Sequence, residues 1–189
     1  MKLVILDRDG TINHDSDAFI KSPAEFRPIA GSIEAIARLT QAGYRVVVAT
    51  NQSGIARGML TEALVDDTHR ELSRRLEAGG ARIDAYYYCP HHPTKGVVAE
   101  FATACDCRKP GRGMVDRAAR DLDLDPARSF VVGDTWLDVG MARAAGARGI
   151  LVRTGAGTEQ ARSMPPADLN ADAIVDNLAA AASWILMRC

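Results

Sequence analysis

Two carboxylates that follow the first apolar segment are the earliest residues in the chain that could do chemistry. Residues 2–6 read Lys-Leu-Val-Ile-Leu, which is typical of a buried strand, and Asp7 and Asp9 follow directly with Gly10 and Thr11. Two aspartates one residue apart can hold a hard divalent cation and divide nucleophile and acid/base roles between them. Aspartate is also a favoured turn residue, so the pair alone indicates a turn more often than a site.

Similar polar groups follow other predicted strands. They are Thr50 and Asn51, Asp134 with Asp138 four residues on, and Arg108 with Lys109 just ahead of a predicted helix. Because the carboxyl ends of parallel strands meet at one edge of a sheet, we expect these side chains to converge. Neighbouring carboxylates raise one another's pKa unless a cation lies between them, and oxygen ligands alone favour Mg²⁺. A hydroxyl and a lysine can hold phosphoryl oxygens, so the pattern predicts phosphoryl transfer.

Apolar strand patterns alternate with helical patterns along the chain, which predicts an α/β fold with a parallel sheet covered by helices on both faces. Strands are predicted over 2–6, 45–49, 83–88, 129–132, 149–152 and, at an edge, 173–175. Helices are predicted after Ser32 and Thr61 as caps, and over about 114–122, 137–145 and 178–187. The length of 189 residues suits a single domain, 1–189, with a real core.

The charge balance excludes some partners. Lysine and arginine number 23 against 24 aspartates and glutamates, a net charge of −1, so we expect neither nucleic acid nor a membrane as partner. No apolar stretch approaches the ~18 residues of a membrane span, and the first predicted strand leaves no room for a signal peptide. We expect a cytoplasmic monomer without a disulfide framework.

Four segments of the chain resemble the motifs of the haloacid dehalogenase superfamily of phosphatases. They are Asp7-Arg8-Asp9-Gly10-Thr11, Thr50-Asn51, Lys109, and Gly133-Asp134 with Asp138. The resemblance covers nearly the whole chain. It implies a three-layer Rossmann-like fold with a central, mostly parallel sheet and, since the insertions between motifs are short, no large cap domain.

The resemblance also implies a role for each motif residue. Asp7 would attack phosphorus to form an aspartyl-phosphate, and Asp9 would protonate the leaving oxygen and later activate water. Thr50 and Lys109 would bind the transferred phosphoryl group. Asp7, the backbone carbonyl of Asp9 and Asp134 would ligate Mg²⁺. Asp138 would orient Lys109 or a metal-bound water.

A second group of candidate ligands lies in the segment 89–107. Cys89-Pro90-His91-His92-Pro93 and Cys105-Asp106-Cys107 supply four soft or borderline ligands, enough for a closed, structural Zn²⁺ site. We choose Cys89, His91, Cys105 and Cys107, with His92 as an alternative to His91. Such a site would pin the loop that carries Arg108 and Lys109. The alternative to a metal site is a pair of buried thiols beside a histidine.

This loop narrows the resemblance to the branch of the D-glycero-D-manno-heptose 1,7-bisphosphate phosphatases and the related histidinol-phosphate phosphatases. The resemblance implies the same four zinc ligands, substrate recognition by Arg108, and a substrate pocket lined by Asn51, Gln52 and Ser53 with Thr50. It extends that pocket to the loop Asp15, Ser16, Asp17 and Ala18. Thr135 departs from the branch, in which a lysine follows the aspartate of the fourth motif.

The function predicted on this basis is Mg²⁺-dependent removal of the 7-phosphate from the heptose bisphosphate, giving heptose 1-phosphate for nucleotide-activated heptose and hence lipopolysaccharide or another glycan. The alternative is a histidinol-phosphate phosphatase of histidine biosynthesis. Two further alternatives are a catalytically silent binding protein on the same scaffold and an enzyme in which Zn²⁺ is catalytic.

Overall fold

The computed structural model describes residues 2–16, 18–167 and 169–188. Its strands are β1 Leu3–Leu6, β2 Arg45–Asn51, β3 Ala85–Cys89, β4 Phe130–Gly133, β5 Arg148–Val152 and β6 Ala173–Val175. Its helices are α1 Ser32–Gln41, α2 Glu62–Ala78, α3 Gly113–Leu122, α4 Trp136–Ala145, α5 Gly157–Arg162 and α6 Leu178–Leu186. The strands form a six-stranded sheet in the order β3-β2-β1-β4-β5-β6, and every pair is parallel. The predicted Rossmann-like α/β fold is confirmed.

The side chains of the central strands are buried on both faces of the sheet. In β1, Val4 and Leu6 pack into a core with residues of α1, α2 and α6. The alternate residues Leu3 and Ile5 pack into a second core with residues of α3 and α4. Because successive strand residues point to opposite faces, this alternation places one helical layer on each side of the sheet.

The ends of the helices follow the predicted capping in part. The hydroxyl of Thr61 accepts a 3.2 Å hydrogen bond from the backbone N–H of Leu64, so the predicted cap of α2 is confirmed. The predicted cap Ser32 is wrong. Gly31, with a φ of 80°, precedes α1, and Ser32 is its first residue, with a buried hydroxyl that has no partner among the described residues. Only glycine adopts this left-handed backbone readily, so the turn displaces the cap by one residue.

One strand boundary differs from the prediction in a way that matters for the site. β2 continues beyond residue 49, so that Thr50 pairs with Tyr88 and Asn51 pairs with Cys89. Helix α5 was not predicted, and neither were the short 3-10 helices Pro23–Glu25 and Pro126–Arg128. Among the described residues, no helix has the length and apolar character to cross a membrane.

Candidate active site

The strand order explains why the predicted site residues converge. β1 lies between β2 and β4, so the residues that end these three strands lie side by side. Asp7 continues the pairing of β1 with β4, because its backbone N–H donates a 2.8 Å hydrogen bond to the carbonyl of Val132. Asp134 follows β4 by one residue, and Thr50 lies in the last part of β2. Residues from three distant parts of the chain therefore share one edge of the sheet.

Glycines make room for the carboxylate of Asp134. Gly10 and Gly155 have φ values of 79° and 56°, and a Cβ on either would overlap with the Asp134 carboxylate. The backbone N–H of Ala156 donates a 2.8 Å hydrogen bond to Asp134 Oδ2. The loop after β5 thus approaches Asp134 through backbone atoms, which only a chain with glycine at these positions allows.

Lys109 lies between two carboxylates. Its Nζ is 2.7 Å from Asp7 Oδ1 and 2.6 Å from Asp138 Oδ1, and all three side chains are buried. The second oxygen of Asp138 accepts from the backbone N–H of Thr135 at 3.1 Å and from its hydroxyl at 2.7 Å. Asp138 therefore has partners on both oxygens, and its orientation is set by the start of α4 as well as by Lys109.

The carboxylates of Asp7, Asp134 and Asp138 form a cluster in which ligand oxygens lie within 4.8 Å of one another. Burial, opposed by Lys109 and reinforced by Asp138, raises the pKa of Asp7 to about 7. Burial and the charge of Asp7 raise the pKa of Asp134 to about 8. Two carboxyl groups that resist ionisation in this way fit a divalent cation, because the cation removes their repulsion and compensates their burial.

Asp9 has the opposite environment. Its Oδ1 accepts from Arg8 Nε at 3.0 Å and Asn13 Nδ2 at 2.8 Å, and its Oδ2 accepts from Arg8 Nη2 and Gln52 Nε2, both at 2.8 Å. Burial alone would raise the pKa of Asp9, but these donors, Arg8 foremost, hold it below its ordinary value. The two aspartates of the first motif thus differ in protonation behaviour: burial favours the protonated form of Asp7, whereas the donors around Asp9 favour its ionised form.

These residues open into a cavity of about 310 Å³. Of the predicted residues, those that line it are Asp7, Asp9, Asp15, Ser16, Thr50, Asn51, Lys109, Asp134 and Asp138. The predicted substrate residues Ala18, Gln52, Ser53 and Arg108 do not line it, and Asp17 lies outside the described residues. Gln52 instead contacts residues that do, since its Nε2 is 2.8 Å from Asp9 and 3.0 Å from Thr50 Oγ1.

Sequence reasoning missed part of the cavity wall. Phe19, Leu137 and Ala156 line it beside Thr135, the residue noted only as a departure from the branch. Phe19 has a φ of 61°, unusual for a residue with a side chain, and the Arg57 guanidinium lies 5.8 Å from its ring centre. The one sequence signal for this part of the wall was that an aromatic residue, Phe19, directly follows the predicted loop 15–18. For Ala156, which contributes a backbone N–H, the sequence carried none.

The four predicted zinc ligands lie together at the end of β3. Cys105 Sγ is 3.5 Å from Cys89 Sγ and 3.2 Å from Cys107 Sγ, and His91 Nδ1 is 3.7 Å from Cys89 Sγ and 3.4 Å from Cys107 Sγ. In a tetrahedral site with metal–sulfur bonds of about 2.3 Å, ligand atoms are about 3.7 Å apart. The cluster therefore has nearly the size that a tetrahedral Zn²⁺ site requires, and His91 rather than His92 completes it.

This cluster adjoins the segment that brings Lys109 to the cavity. Arg108 Nη1 donates a 3.2 Å hydrogen bond to the backbone carbonyl of His91, and the backbone N–H of Lys109 donates a 3.1 Å hydrogen bond to Asn51 Oδ1. Burial raises the pKa of the Cys105 thiol. A metal ion would reverse that preference, because thiolate is the form that binds metal.

Proteins of known activity share both the fold and the sequence. A family model described as HAD-hydrolase-like matches residues 106–181. A D-glycero-β-D-manno-heptose-1,7-bisphosphate 7-phosphatase from Bordetella bronchiseptica is 48% identical over 157 residues, 83% of this chain and 83% of that protein. The protein of the same name from Pseudomonas putida is 43% identical over 187 residues, 98% of this chain and 100% of that protein.

A crystal structure of the D,D-heptose 1,7-bisphosphate phosphatase from B. bronchiseptica, complexed with magnesium and phosphate, matches over 100% of both chains with a TM-score of 0.87 and 44% identity. The parallel sheet with an acidic site at the carboxyl ends of its strands defines the class, the haloacid dehalogenase-like hydrolases. Within that class, the chain belongs to the family of D-glycero-β-D-manno-heptose-1,7-bisphosphate 7-phosphatases. The predicted superfamily and the prediction of a phosphoric monoester hydrolase are confirmed.

Proposed function

We propose that the protein hydrolyses the 7-phosphate of D-glycero-D-manno-heptose 1,7-bisphosphate in a Mg²⁺-dependent reaction, within the biosynthesis of nucleotide-activated heptose. The observation that carries this proposal is the position of Lys109 between Asp7 and Asp138, beside Asp134, in an open cavity. The relatives that are named for this activity match this chain over most or all of their own length. These relatives favour the heptose bisphosphate over histidinol phosphate.

The roles proposed for Asp7 and Asp9 give two steps of proton and phosphoryl transfer. A carboxylate oxygen of Asp7 attacks phosphorus as the bond from phosphorus to the sugar oxygen breaks, and Asp9 gives its proton to that oxygen. Asp9 then takes a proton from water as the water attacks the aspartyl-phosphate, which releases phosphate and restores Asp7. Asp9 must leave the donors that now hold it ionised before it can carry a proton.

The surrounding residues stabilise the negative charge that develops on the phosphoryl group. The Thr50 hydroxyl and the Lys109 ammonium group bind phosphoryl oxygens, and Asp138 holds Lys109 in place. Asp7, Asp134 and the backbone carbonyl of Asp9 would hold Mg²⁺. When bound, the ion neutralises negative charge on the phosphoryl oxygens.

The outer cavity would select the sugar. Asp15 and Ser16 line the cavity and offer hydrogen bonds to sugar hydroxyls. Arg108, directly before Lys109, does not line the cavity in the structure and would have to turn toward it to supply a cation for the second phosphate. Gln52 acts on the reaction through Asp9 and Thr50, which it contacts.

We also propose that Cys89, His91, Cys105 and Cys107 hold a structural Zn²⁺. The supporting observation is the spacing of their ligand atoms, all within 4.8 Å. All four positions are filled by protein atoms, as is typical of structural rather than catalytic zinc. A monomeric state, a single domain over 1–189 and a cytoplasmic location stay predictions.

Steady-state kinetics with Mg²⁺ test the activity. The α and β anomers of the heptose 1,7-bisphosphate are compared with histidinol phosphate, and ³¹P NMR identifies which phosphate is lost. We expect the larger kcat/KM on a heptose bisphosphate, with heptose 1-phosphate as the product. Faster turnover of histidinol phosphate, or loss of the 1-phosphate, would refute the assignment. Asp7→Asn distinguishes a contaminating phosphatase, since it removes only the activity of this protein.

A further inference from the structure

A second pocket, here called the basic pocket, lies at the edge of the sheet opposite the candidate active site. It has a volume of about 180 Å³, and its lining consists of Lys2, Arg128, Arg148 and Arg188 with Ala127, Ser129 and Phe130. Lys2 precedes β1, Arg128 ends the 3-10 helix before β4, and Arg148 begins β5. Because β1, β4 and β5 are adjacent and parallel, their amino ends meet at this edge, which brings these cations together.

The four cations of the basic pocket are not neutralised by carboxylates. Among the residues that the structure describes, none of the four takes part in an ion pair. Asp125, three residues before Arg128, instead accepts a 2.9 Å hydrogen bond from the backbone N–H of Ala127. Asp172 accepts a 2.9 Å hydrogen bond from the backbone N–H of Gly149. A concave surface lined by one sign of charge concentrates the electrostatic potential, so the pocket attracts anions.

Aromatic rings restrain two of these cations. The Arg188 guanidinium lies 3.7 Å from the ring centre of Trp184, and one of its nitrogens donates a 3.2 Å hydrogen bond to the Trp184 carbonyl. The Arg148 guanidinium lies 5.7 Å from the ring centre of Phe130. The two rings meet edge to face, with 6.2 Å between their centres. A ring face holds a guanidinium without cancelling its charge, so both arginines keep N–H donors for a ligand.

The donor set of the basic pocket suits a phosphate group. Guanidinium groups donate paired hydrogen bonds to phosphate oxygens, and the pocket has three of them beside one ammonium group. Four positive charges match a multiply charged anion better than a single carboxylate. The volume is below the roughly 300–1,000 Å³ of pockets that take larger organic ligands, so the pocket fits one or two phosphate groups. A net charge of −1 for the whole chain disfavours long polyanions such as nucleic acid.

We propose that the basic pocket binds a small phosphate anion, either diphosphate or the phosphate end of a phosphorylated metabolite. Arg128, Arg148 and Arg188 bind the phosphate oxygens, and Lys2 adds a fourth positive charge. The pocket shares no lining residue with the cavity of the candidate active site. The proposal is therefore independent of the proposed function, and neither fails with the other.

Diphosphate is the probe, titrated into ¹⁵N-labelled protein in the presence of EDTA. Without a divalent cation, the candidate active site holds three buried carboxyl groups around Lys109, and such a site disfavours a further anion. Metal-free binding therefore measures the basic pocket. Shifts of the backbone amide signals of Ser129, Phe130 and Gly149 locate the ligand, and their dependence on concentration gives the affinity.

We expect one diphosphate per chain, with an affinity that falls about 10-fold in Arg128→Gln and in Arg148→Gln, because each change removes charge-assisted donors. Arg148→Lys keeps the charge but loses the paired donors, so its affinity should lie between those of the parent and Arg148→Gln. Arg162→Gln is the matched control. It removes the same charge from an exposed position at the end of α5, outside the pocket, and should change the affinity less than about 2-fold.

Three results would overturn the proposal. The first is the absence of saturable shifts below about 10 mM diphosphate. The second is equal weakening by Arg162→Gln, which would indicate attraction by overall charge, and the third is a set of shifts restricted to the candidate active site. Saturable binding to phosphatidylglycerol vesicles or to a DNA duplex, with none to diphosphate, would also overturn it in favour of a larger partner. If Arg148→Gln does not fold, Arg128→Gln decides.

Discussion

Lys109 and Asp138 form a buried ion pair with 2.6 Å between Nζ and Oδ1, although 29 residues separate them in the chain. The pair joins two parts of the site. Lys109 follows the loop that carries the four candidate zinc ligands, and Asp138 lies in the first turn of α4. Because Lys109 also contacts Asp7 at 2.7 Å, the direction of its ammonium group is set jointly by Asp7 and by α4.

Removal of the Lys109 ammonium group should cost both stability and activity. Lys109→Met leaves Asp7 and Asp138 buried without their cation, which typically costs about 3–5 kcal/mol of unfolding free energy. We expect kcat to fall by about 100-fold or more, since one charge-stabilising donor is lost from the transferred phosphoryl group. Denaturant unfolding and steady-state kinetics measure both effects. Lys95→Met, an exposed lysine in the same loop, is the control and should stay within about 0.5 kcal/mol of the parent.

Asp7→Asn should abolish turnover while the protein remains folded. The amide cannot act as the nucleophile, and the loss of an activated nucleophile lowers kcat by about 10³-fold or more. Acid-quenched protein incubated with ³²P-labelled substrate should carry label in the parent and none in the variant. Label retained by Asp7→Asn would show that another residue is the nucleophile.

The metal-free protein should lose stability as pH rises between about 6.5 and 8.5. The pKa values of Asp7 and Asp134 are about 7 and about 8, against 3.8 for ordinary aspartate. In this interval the folded protein holds protons that the unfolded chain has already released, so raising the pH favours unfolding, by about 2–3 kcal/mol in total. Buried His69, with a pKa of about 3 against an ordinary 6.5, gives the opposite slope at lower pH, outside this interval.

Mg²⁺ should reverse this pH dependence, because its binding competes with protons for the same oxygens. Thermal unfolding at several pH values, with EDTA or saturating Mg²⁺, measures the effect. The stabilisation by Mg²⁺ should increase with pH, and Asp134→Asn should reduce both the slope and the response to Mg²⁺. A metal-free stability that rises from pH 6.5 to 8.5 would contradict the raised pKa values.

Thr135 should affect stability and activity through its contact with Asp138 rather than through contact with the substrate. Its hydroxyl donates to Asp138 Oδ2 at 2.7 Å, so Thr135→Val leaves that oxygen with the backbone N–H alone. We expect a loss of about 1 kcal/mol of unfolding free energy, the usual contribution of such a cap, and a fall in kcat that exceeds the rise in KM. Thr135→Ser keeps the hydroxyl and should behave as the parent does. Equal effects of Thr135→Val and Thr135→Ser would show that the hydrogen bond from the Thr135 hydroxyl is unimportant.

Loss of one candidate zinc ligand should unfold the loop first and affect chemistry as a consequence. Cys105→Ser is expected to lower the zinc content measured by plasma mass spectrometry from about one ion per chain to none, and to lower Tm by several degrees. Activity should fall because Lys109 loses its support. If the variant stays fully folded but inactive, zinc is catalytic instead. Cys189→Ser changes the one cysteine that is not among the candidate ligands and serves as the control for loss of a thiol.

Much of the fold and the site could be predicted from the sequence because the signals are local. The apolar segments that precede Asp7, Thr50 and Asp134 identify strands, and parallel strands bring their carboxyl ends to one edge. The same holds for Cys89 and His91, whose short spacing identifies possible metal ligands. Local signals fail where a turn decides the outcome, as at Ser32, which Gly31 displaces from the cap of α1.

By itself, the sequence determined which groups are present at the strand ends and therefore the class of chemistry. Only the tertiary structure decided how these groups divide the work. Asp7 and Asp9 are alike in sequence, yet Asp7 packs against Lys109 and Asp138 while Asp9 accepts from Arg8, Asn13 and Gln52. Their pKa values diverge because burial and neighbouring charge depend on contacts between distant segments, and no local pattern encodes those contacts.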